Sequence, residues 1–440
     1  VDIARLYDLF LKSAGVSIDS RAVRRGEMFF AIRGEHFDGN KFAEQALASG
    51  AGLAVADDES LPHLTGIVHV PDALTALQDL ARHHRRKMHA KVIAITGSNG
   101  KTTSKELVAS VLSTTHPTHA SEGNLNNHLG VPLTLLKMKP EHRFAVIEMG
   151  ANHRGEIAEL CNIAEPEYGA VTNIGKAHLE GFGGLKGVIK AKKELFDYLS
   201  RHDGTAFVNS SLPHLEEMAA SVKRKVTYGD VGDVRGMVLN DKPTLQVEIA
   251  WSEGALQVVT NLIGEYNLNN ILLAATVGLH FQIPPEKIRE GIESYVPSSN
   301  RSQVIRRGTN TIILDAYNAN PSSMEAALTN LATFTDKHRV AILGDMLELG
   351  DYSTDEHERI TNMAGEAADQ VVLVGEEFMR VRSREESVRS RETTDRDEAV
   401  HFRSVQDTKR WVEQQKFDGA IILVKGSRKI GLEQLVDWLI

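Results

Sequence analysis

The segment Gly97-Ser98-Asn99-Gly100-Lys101-Thr102-Thr103 carries the residue types needed to hold a triphosphate. Glycines let backbone N–H groups converge on an anion with no Cβ in the way. Lys101 offers a point charge to β- and γ-phosphates, and Thr102 offers a hydroxyl to Mg2+. The spacing is Gly-x-x-Gly-Lys-Thr-Thr, shorter than Gly-x-x-x-x-Gly-Lys, because Ile95 stands where the first glycine of the longer form would be. A glycine turn that merely precedes Lys-Thr is the plain alternative. The β-branched run Val92–Thr96 before it and the helix-forming run Ser104–Val108 after it favour strand, phosphate loop and helix.

Other groups have two readings each. Glu148 ends the apolar run Phe144–Ile147, where a carboxylate can reach a phosphate-bound Mg2+ or simply face water. His178 lies in a glycine-rich loop, as a metal ligand or as an exposed imidazole. Lys192 sits on the charged face of an amphipathic helix, and composition does not single it out. Asn124, Asn126 and Asn127 either cap a helix or bind polar groups of a substrate. Asp315 and Asn318, in Asp315-Ala316-Tyr317-Asn318-Ala319-Asn320-Pro321, suit a ribose or carboxylate contact, or a plain Asx-rich turn. Lys425 and Arg428 suit an anionic substrate or a basic turn. Cys161, the single cysteine, lies in an apolar helical pattern and is expected to be a buried structural thiol.

These groups need strands that end near one another. Before residue 88 the expected strands are Met28–Ile32, Leu53–Ala56 and Ile67–Val70, with helices over Phe42–Ser49 and from Pro71 at its first turn. That second helix ends in Arg82-His83-His84-Arg85-Arg86-Lys87, expected to be a solvated end leading to a linker. From 89 to 296 strands are expected at Phe144–Ile147 and Tyr168–Ile174. A helix is expected over Gly184–Leu199 with Leu185, Val188, Leu195, Phe196 and Leu199 on its apolar stripe. Residues 225–260 are β-like, and helices follow at Asn267–His280 and from Pro284-Pro285. Val296–Asn300 marks a second boundary. Strands Thr311–Leu314, Val340–Leu343, Val371–Val374 and Ile421–Val424 follow, and residues 380–398 are expected to be an exposed loop or frayed helix. The expected class is α/β with three domains: 1–88 small, 89–296 a phosphate-loop domain with a mostly parallel sheet, and 297–440 Rossmann-like.

A chain of 440 residues exceeds one ordinary core. Hydrophobic residues at 42% and charged residues at 25% describe a globular protein. A net charge of −9 argues against binding nucleic acid by general phosphate attraction. One cysteine allows no internal disulfide and fits a reducing compartment, so a cytoplasmic location is expected. No apolar run approaches the ~20 residues of a membrane span. No segment resembles a secretory leader, and Val1 in place of Met points to a trimmed start.

Taken together, these segments resemble the Mur ligase family, the ATP-dependent amino-acid ligases of bacterial cell-wall precursor synthesis, over nearly the whole chain. Asp19-Ser20-Arg21 and Gly34-Glu35-His36-Phe37-Asp38-Gly39 are similar to its nucleotide-sugar-binding N-terminal domain. Gly123–Pro132, Glu148-Met149-Gly150-Ala151, Asp315–Pro321 and Gly344-Asp345-Met346-Leu347-Glu348-Leu349-Gly350 resemble the member that adds D-alanyl-D-alanine. The Asp-Asn-Pro-Arg of the diaminopimelate-adding member is absent. Asn40 departs from the usual Asp-Gly-His, so that position is not expected to contact ligand.

The resemblance implies ATP contacts at Gly97, Ser98, Asn99, Gly100, Lys101, Thr102, Thr103, Asn267, Asn270, Arg301 and Asp315. It implies substrate contacts at Ser20, Arg21, Asn124, Asn126, Asn127, Asn318, Lys425 and Arg428. Two Mg2+ ions are implied, one at Thr102 and Glu148 and one at His178 and Lys192, where Lys192 matches a lysine carbamylated in similar enzymes. Lys101, Lys192 and His178 would be catalytic. The implied partners are UDP-N-acetylmuramoyl-tripeptide and D-alanyl-D-alanine, with neither nucleic acid nor membrane, and the enzyme is expected to be a monomer. The rivals are the third-residue or folate polyglutamate ligases, and an ATP-hydrolysing switch that would turn over without an amine.

Overall fold

Strand Lys91–Thr96 is buried from Val92 onward because its two faces enter different cores. Val92 and Ala94 join one apolar cluster, and Ile93 and Ile95 join the other. A strand covered on both sides reads as a continuous apolar run. It lies inside a six-stranded sheet in the order Arg224–Tyr228, Thr205–Asn209, Tyr168–Val171, Lys91–Thr96, Phe144–Glu148, Thr118–Ala120, parallel throughout. In a computed structural model of the chain, residues 2–61, 65–298, 300–388 and 399–439 are described.

Ahead of this unit, Val16–Ser17, Met28–Phe30, Leu53–Ala56 and Ile67–His69 form a four-stranded parallel sheet. Behind it, Arg235–Asn240, Gln246–Trp251 and Gly254–Val259 form an antiparallel sheet. Leu245, Val247 and Ile249 face inward there, as the alternation predicts. The last unit orders its strands Gln303–Arg307, Asn310–Asp315, Ile421–Lys425, Arg339–Gly344, Gln370–Val374, Val400–Phe402, antiparallel only at the first pair. Among the described residues no helix is long and apolar enough to cross a membrane.

Several expectations change. Pro71 does not open the helix that follows it. The helix is Ala73–Lys87, and Asp72 caps it by accepting the Thr75 N–H. Its basic end is docked rather than solvated. Arg85 is buried and donates to the carbonyls of Ala164 and Glu165 and to the Glu167 carboxylate, while Arg86 pairs with Glu165. Leu185, placed on the apolar stripe, is exposed because it opens the helix Leu185–Arg201 at its solvent end. The strand expected over Tyr168–Ile174 stops at Val171, and residues 172–178 form a loop. Residues up to Val388 continue a helix from Glu376, and the rest of the stretch, 389–398, lies outside the described residues.

Candidate active site

Two glycines set the geometry of the loop 97–103. Gly97 has φ +148° and a Cβ there would lie 1.9 Å from Thr172 Oγ1. Gly100 has φ +76° and a Cβ there would lie 2.6 Å from Asn270 Oδ1. Both positions therefore need glycine for backbone angle and for space. The loop is laced to the segment after strand Tyr168–Val171. Ser98 N–H donates to Asn173 O (3.0 Å), Asn99 N–H to Asn173 Oδ1 (2.9 Å) and Thr172 Oγ1 to Asn99 O (2.6 Å). The helix Lys101–Ser113 then presents first-turn N–H groups that have no partner within the helix. Lys101 Nζ donates to its own loop at Gly97 O (2.9 Å) and Ser98 O (3.1 Å). Burial pushes its pKa down, opposed by Glu148 and reinforced by Arg301.

Parallel pairing sets Glu148 beside Ile95, at the carboxyl end of its strand. Its carboxylate is 1% exposed, so its partners decide its orientation. Thr102 Oγ1 donates to Oε2 and Asn126 Nδ2 donates to Oε1, each at 2.8 Å. Asn127 takes the capping role, accepting the Gly130 N–H at 2.9 Å. Lys192 is 2% exposed, and its side chain makes no hydrogen bond among the described residues. Burial, then the nearby Lys101 charge, push its pKa down to about 7. Its Nζ lies 5.4 Å from the centre of the Phe182 ring, which stands nearly perpendicular to the His178 imidazole with centres 6.4 Å apart.

The opposite wall comes from the last α/β unit. Asp315 and Lys425 are register partners at the ends of parallel strands, and their side chains form an ion pair. The ammonium is buried and also donates to Asn318 O at 3.3 Å. Asp315 further accepts the Ser302 N–H at 3.0 Å. The Arg301 guanidinium stacks 3.6 Å over the Tyr317 ring. Asn270 Nδ2 donates to Asn267 Oδ1, and Ser104 Oγ donates to Asn270 Oδ1, which fixes both amides.

The two walls touch. Asn320 Nδ2 donates to Asn99 Oδ1 at 2.7 Å, and Lys176 N–H donates to Ser322 Oγ at 3.0 Å. Lys176 Nζ pairs with Glu356, and His178 Nδ1 with Glu348. The hydrogen bond from His178 holds the Glu348 carboxyl below its usual range.

Between the walls lies a cleft of about 620 Å3. It brings together Ser98–Thr103, Glu148, His178, Asn124, Asn126, Asn127, Asn267, Asn270, Arg301, Asp315, Asn318 and Lys425. Gly97, Lys192 and Arg428 are not part of its lining, nor are Ser20 and Arg21. Ser20 is buried in the first unit, and Arg21 is exposed and bonded to Asp19. The Arg428 guanidinium lies 5.3 Å from the centre of the Tyr317 ring. Asn40 is 1% exposed and holds Asp38 and Asp57 together, donating to both and accepting the Asp57 N–H, so it is structural. Thr172, Asn173, Asn320 and Glu348 also take part, and the sequence does not single them out as site residues. Their partners lie 73 to 221 residues away, and no local spacing marks them.

The cation question turns on the donors present. Glu148 and Thr102 are hard oxygen donors in contact, which fits Mg2+. Among the described residues there is no group of three or more His, Cys, Asp or Glu that would cage a metal. That also fits an ion bound largely through phosphates and water.

Three family models match the chain. Residues 12–85 match the Mur ligase family catalytic domain, 95–278 the Mur ligase middle domain, and 300–428 the Mur ligase glutamate ligase domain. UDP-N-acetylmuramoyl-tripeptide–D-alanyl-D-alanine ligase of Bacillus subtilis is 33% identical over 434 residues, spanning 97% of this chain and 93% of that protein. The Escherichia coli protein of the same name is 35% identical over 436 residues, spanning 96% and 92%. A crystal structure of MurF from Acinetobacter baumannii superposes with a TM-score of 0.87 at 30% identity, covering 99% of this chain and 98% of that one.

Proposed function

The chain belongs to the Mur ligase family, and we propose that it joins D-alanyl-D-alanine to the terminal carboxylate of UDP-N-acetylmuramoyl-tripeptide, cleaving ATP to ADP and phosphate. One observation carries this reading. A phosphate loop, a buried carboxylate and the Arg301–Asp315 wall of a second sheet share one cleft, in a chain similar along nearly its full length to ligases of that activity.

The chemistry needs two anions to meet. The tripeptide carboxylate oxygen attacks the γ-phosphorus, the β–γ P–O bond breaks, and ADP leaves an acyl phosphate. The amine of D-alanyl-D-alanine then attacks the acyl carbon, phosphate leaves with the C–O electron pair, and the amine gives up a proton. When bound, Mg2+ supplies positive charge that makes the first approach possible. Lys101 exchanges its loop carbonyls for the β- and γ-phosphates. Thr102 and Glu148 would hold the ion, with Asn126 fixing the carboxylate. Asn267, Asn270, Arg301 and Asp315 would hold the nucleoside end. Asn124, Asn127, Asn318 and Lys425 would line the path of the substrates, and Ser20 and Arg21 the UDP end. Docking of the last unit excludes water from the acyl phosphate.

A second ion would sit at His178 and at Lys192 as its carbamate. A neutral amine is the form that adds to CO2, and burial favours the neutral amine at Lys192. The carbamate then brings an anionic oxygen where an ammonium would repel the metal. The reading divides the chain at 1–88, 89–296 and 297–440 and expects a cytoplasmic monomer.

The direct test is phosphate release from ATP with UDP-N-acetylmuramoyl-tripeptide, with and without D-alanyl-D-alanine. Peptide-bond formation stoichiometric with phosphate is expected, and release indifferent to both substrates refutes the reading. Lys101→Ala is expected to abolish ADP formation while UDP-substrate binding stays measurable by calorimetry.

A further inference from the structure

The segment Gly344–Gly350 lies outside the cleft lining, yet one of its side chains reaches back to the site. Glu348, on the last α/β unit, meets Nδ1 of His178, on the central unit, across the contact between them. A carboxylate only accepts, so Nδ1 carries the proton, and in the neutral ring Nε2 keeps its lone pair for a cation. Both partners sit in left-handed backbone, His178 at φ +51° and Glu348 at φ +65°. Such conformations persist in non-glycine residues where surrounding contacts over-determine them. Those contacts are present. Met346 N–H donates to His357 Nε2 and Leu347 N–H to Ser427 Oγ, each at 3.0 Å. At Gly350, φ +54°, a Cβ would lie 3.2 Å from the Glu180 side chain.

We infer that Glu348 is a positioning residue, which fixes the tautomer and the direction of the His178 imidazole from the neighbouring domain, so that the second cation site is complete only when the two units are docked. The inference rests on the reading of His178 as a cation ligand. A carboxylate behind a metal-binding imidazole typically changes metal affinity about 10- to 100-fold. Here that carboxylate belongs to the part of the chain that must close. Ion binding at His178 and closure are then one linked equilibrium, each favouring the other by the same factor.

The test counts Mn2+ bound to the full-length protein by electron paramagnetic resonance, with a non-hydrolysable ATP analogue and bicarbonate present. Wild type is expected to bind two ions. Glu348→Ala should weaken one of them about 10- to 100-fold and leave the other unchanged. Glu348→Gln still accepts the Nδ1 proton and should bind within about threefold of wild type. At saturating Mn2+, where linkage no longer favours the open form, small-angle scattering of the liganded Glu348→Ala protein should match wild type. Unchanged Mn2+ binding by Glu348→Ala, or a protein that stays expanded even at saturating Mn2+, overturns the inference, the latter by making Glu348 a plain docking contact. His178→Ala separates the layers. If it still binds two ions, the ligand reading itself fails. If it loses one while Glu348→Ala keeps both, only the positioning role fails.

Discussion

Lys192 and His357 are both buried bases whose pKa burial lowers, and their surroundings give them different uses. Lys192 has an aromatic face, the Lys101 charge and the Glu156 and Glu194 carboxylates around it and, among the described residues, no side-chain hydrogen bond, so its amine is open to chemistry. Lys192→Ala is expected to lose most ligase activity, and short-chain carboxylic acids should restore part of it by standing in for the carbamate oxygens. Absence of any rescue in a steady-state assay counts against the carbamate. His357 instead has both nitrogens engaged, Nε2 accepting from Met346 N–H and Nδ1 facing Ser353 O at 2.7 Å. Burial lowers its pKa from 6.5, while Asp345, Glu377 and Glu356 pull the other way. A depressed folded value means the stabilisation is complete above about pH 6.5 and is lost as pH falls through the lower, folded value. Melting temperature should therefore fall as pH drops below about 6.5, with His84, His119 and His280, whose pKa values desolvation also lowers, acting in the same direction, and His357→Gln should make the fall smaller. Residue types at the phosphate loop were legible because the loop's chemistry is local. Glu348 and Asn320 were not, because their roles exist only after two distant segments meet.

At the scale of elements, strand, loop and helix at residues 91–113 were legible from an apolar run, two glycines and a helix-forming tail. The same pattern explains the vulnerability of the turn. Gly100→Ala forces a side chain into left-handed backbone at a cost of about 1–2 kcal/mol and drives its Cβ into Asn270. Nucleotide affinity, measured by calorimetry, should fall at least about tenfold with the fold intact. Strand Gln303–Arg307 and helix Val405–Val412 are not legible in the sequence, the first because it carries charges on an edge, the second because it is short and polar. The basic end of helix Ala73–Lys87 departs from expectation for a related reason. Composition cannot tell a solvated arginine from one whose guanidinium closes off the carbonyls at the end of another helix, as Arg85 does for Ala164 and Glu165.

For the whole molecule, three α/β units were legible from alternating strand and helix patterns, and their docking was not. Lys176 carries much of the polar contact between the central and last units through Glu356 and Ser322. The lysine is 44% exposed and the glutamate 9%, so the pair is worth about 1 kcal/mol after solvent screening. Lys176→Met should cut kcat about fivefold with the KM for ATP little altered, read from initial rates, with the liganded protein more expanded in solution scattering.

The strand ends of two separate sheets, Glu148 on one and Asp315 and Lys425 on the other, open on the same space. Neither half of the machine holds a whole reaction chamber, and the backbone joining Tyr295 to Arg301 keeps each half at a high local concentration of the other. Severed there, the two fragments would have to find one another by diffusion, and turnover per fragment would climb with dilution reversed.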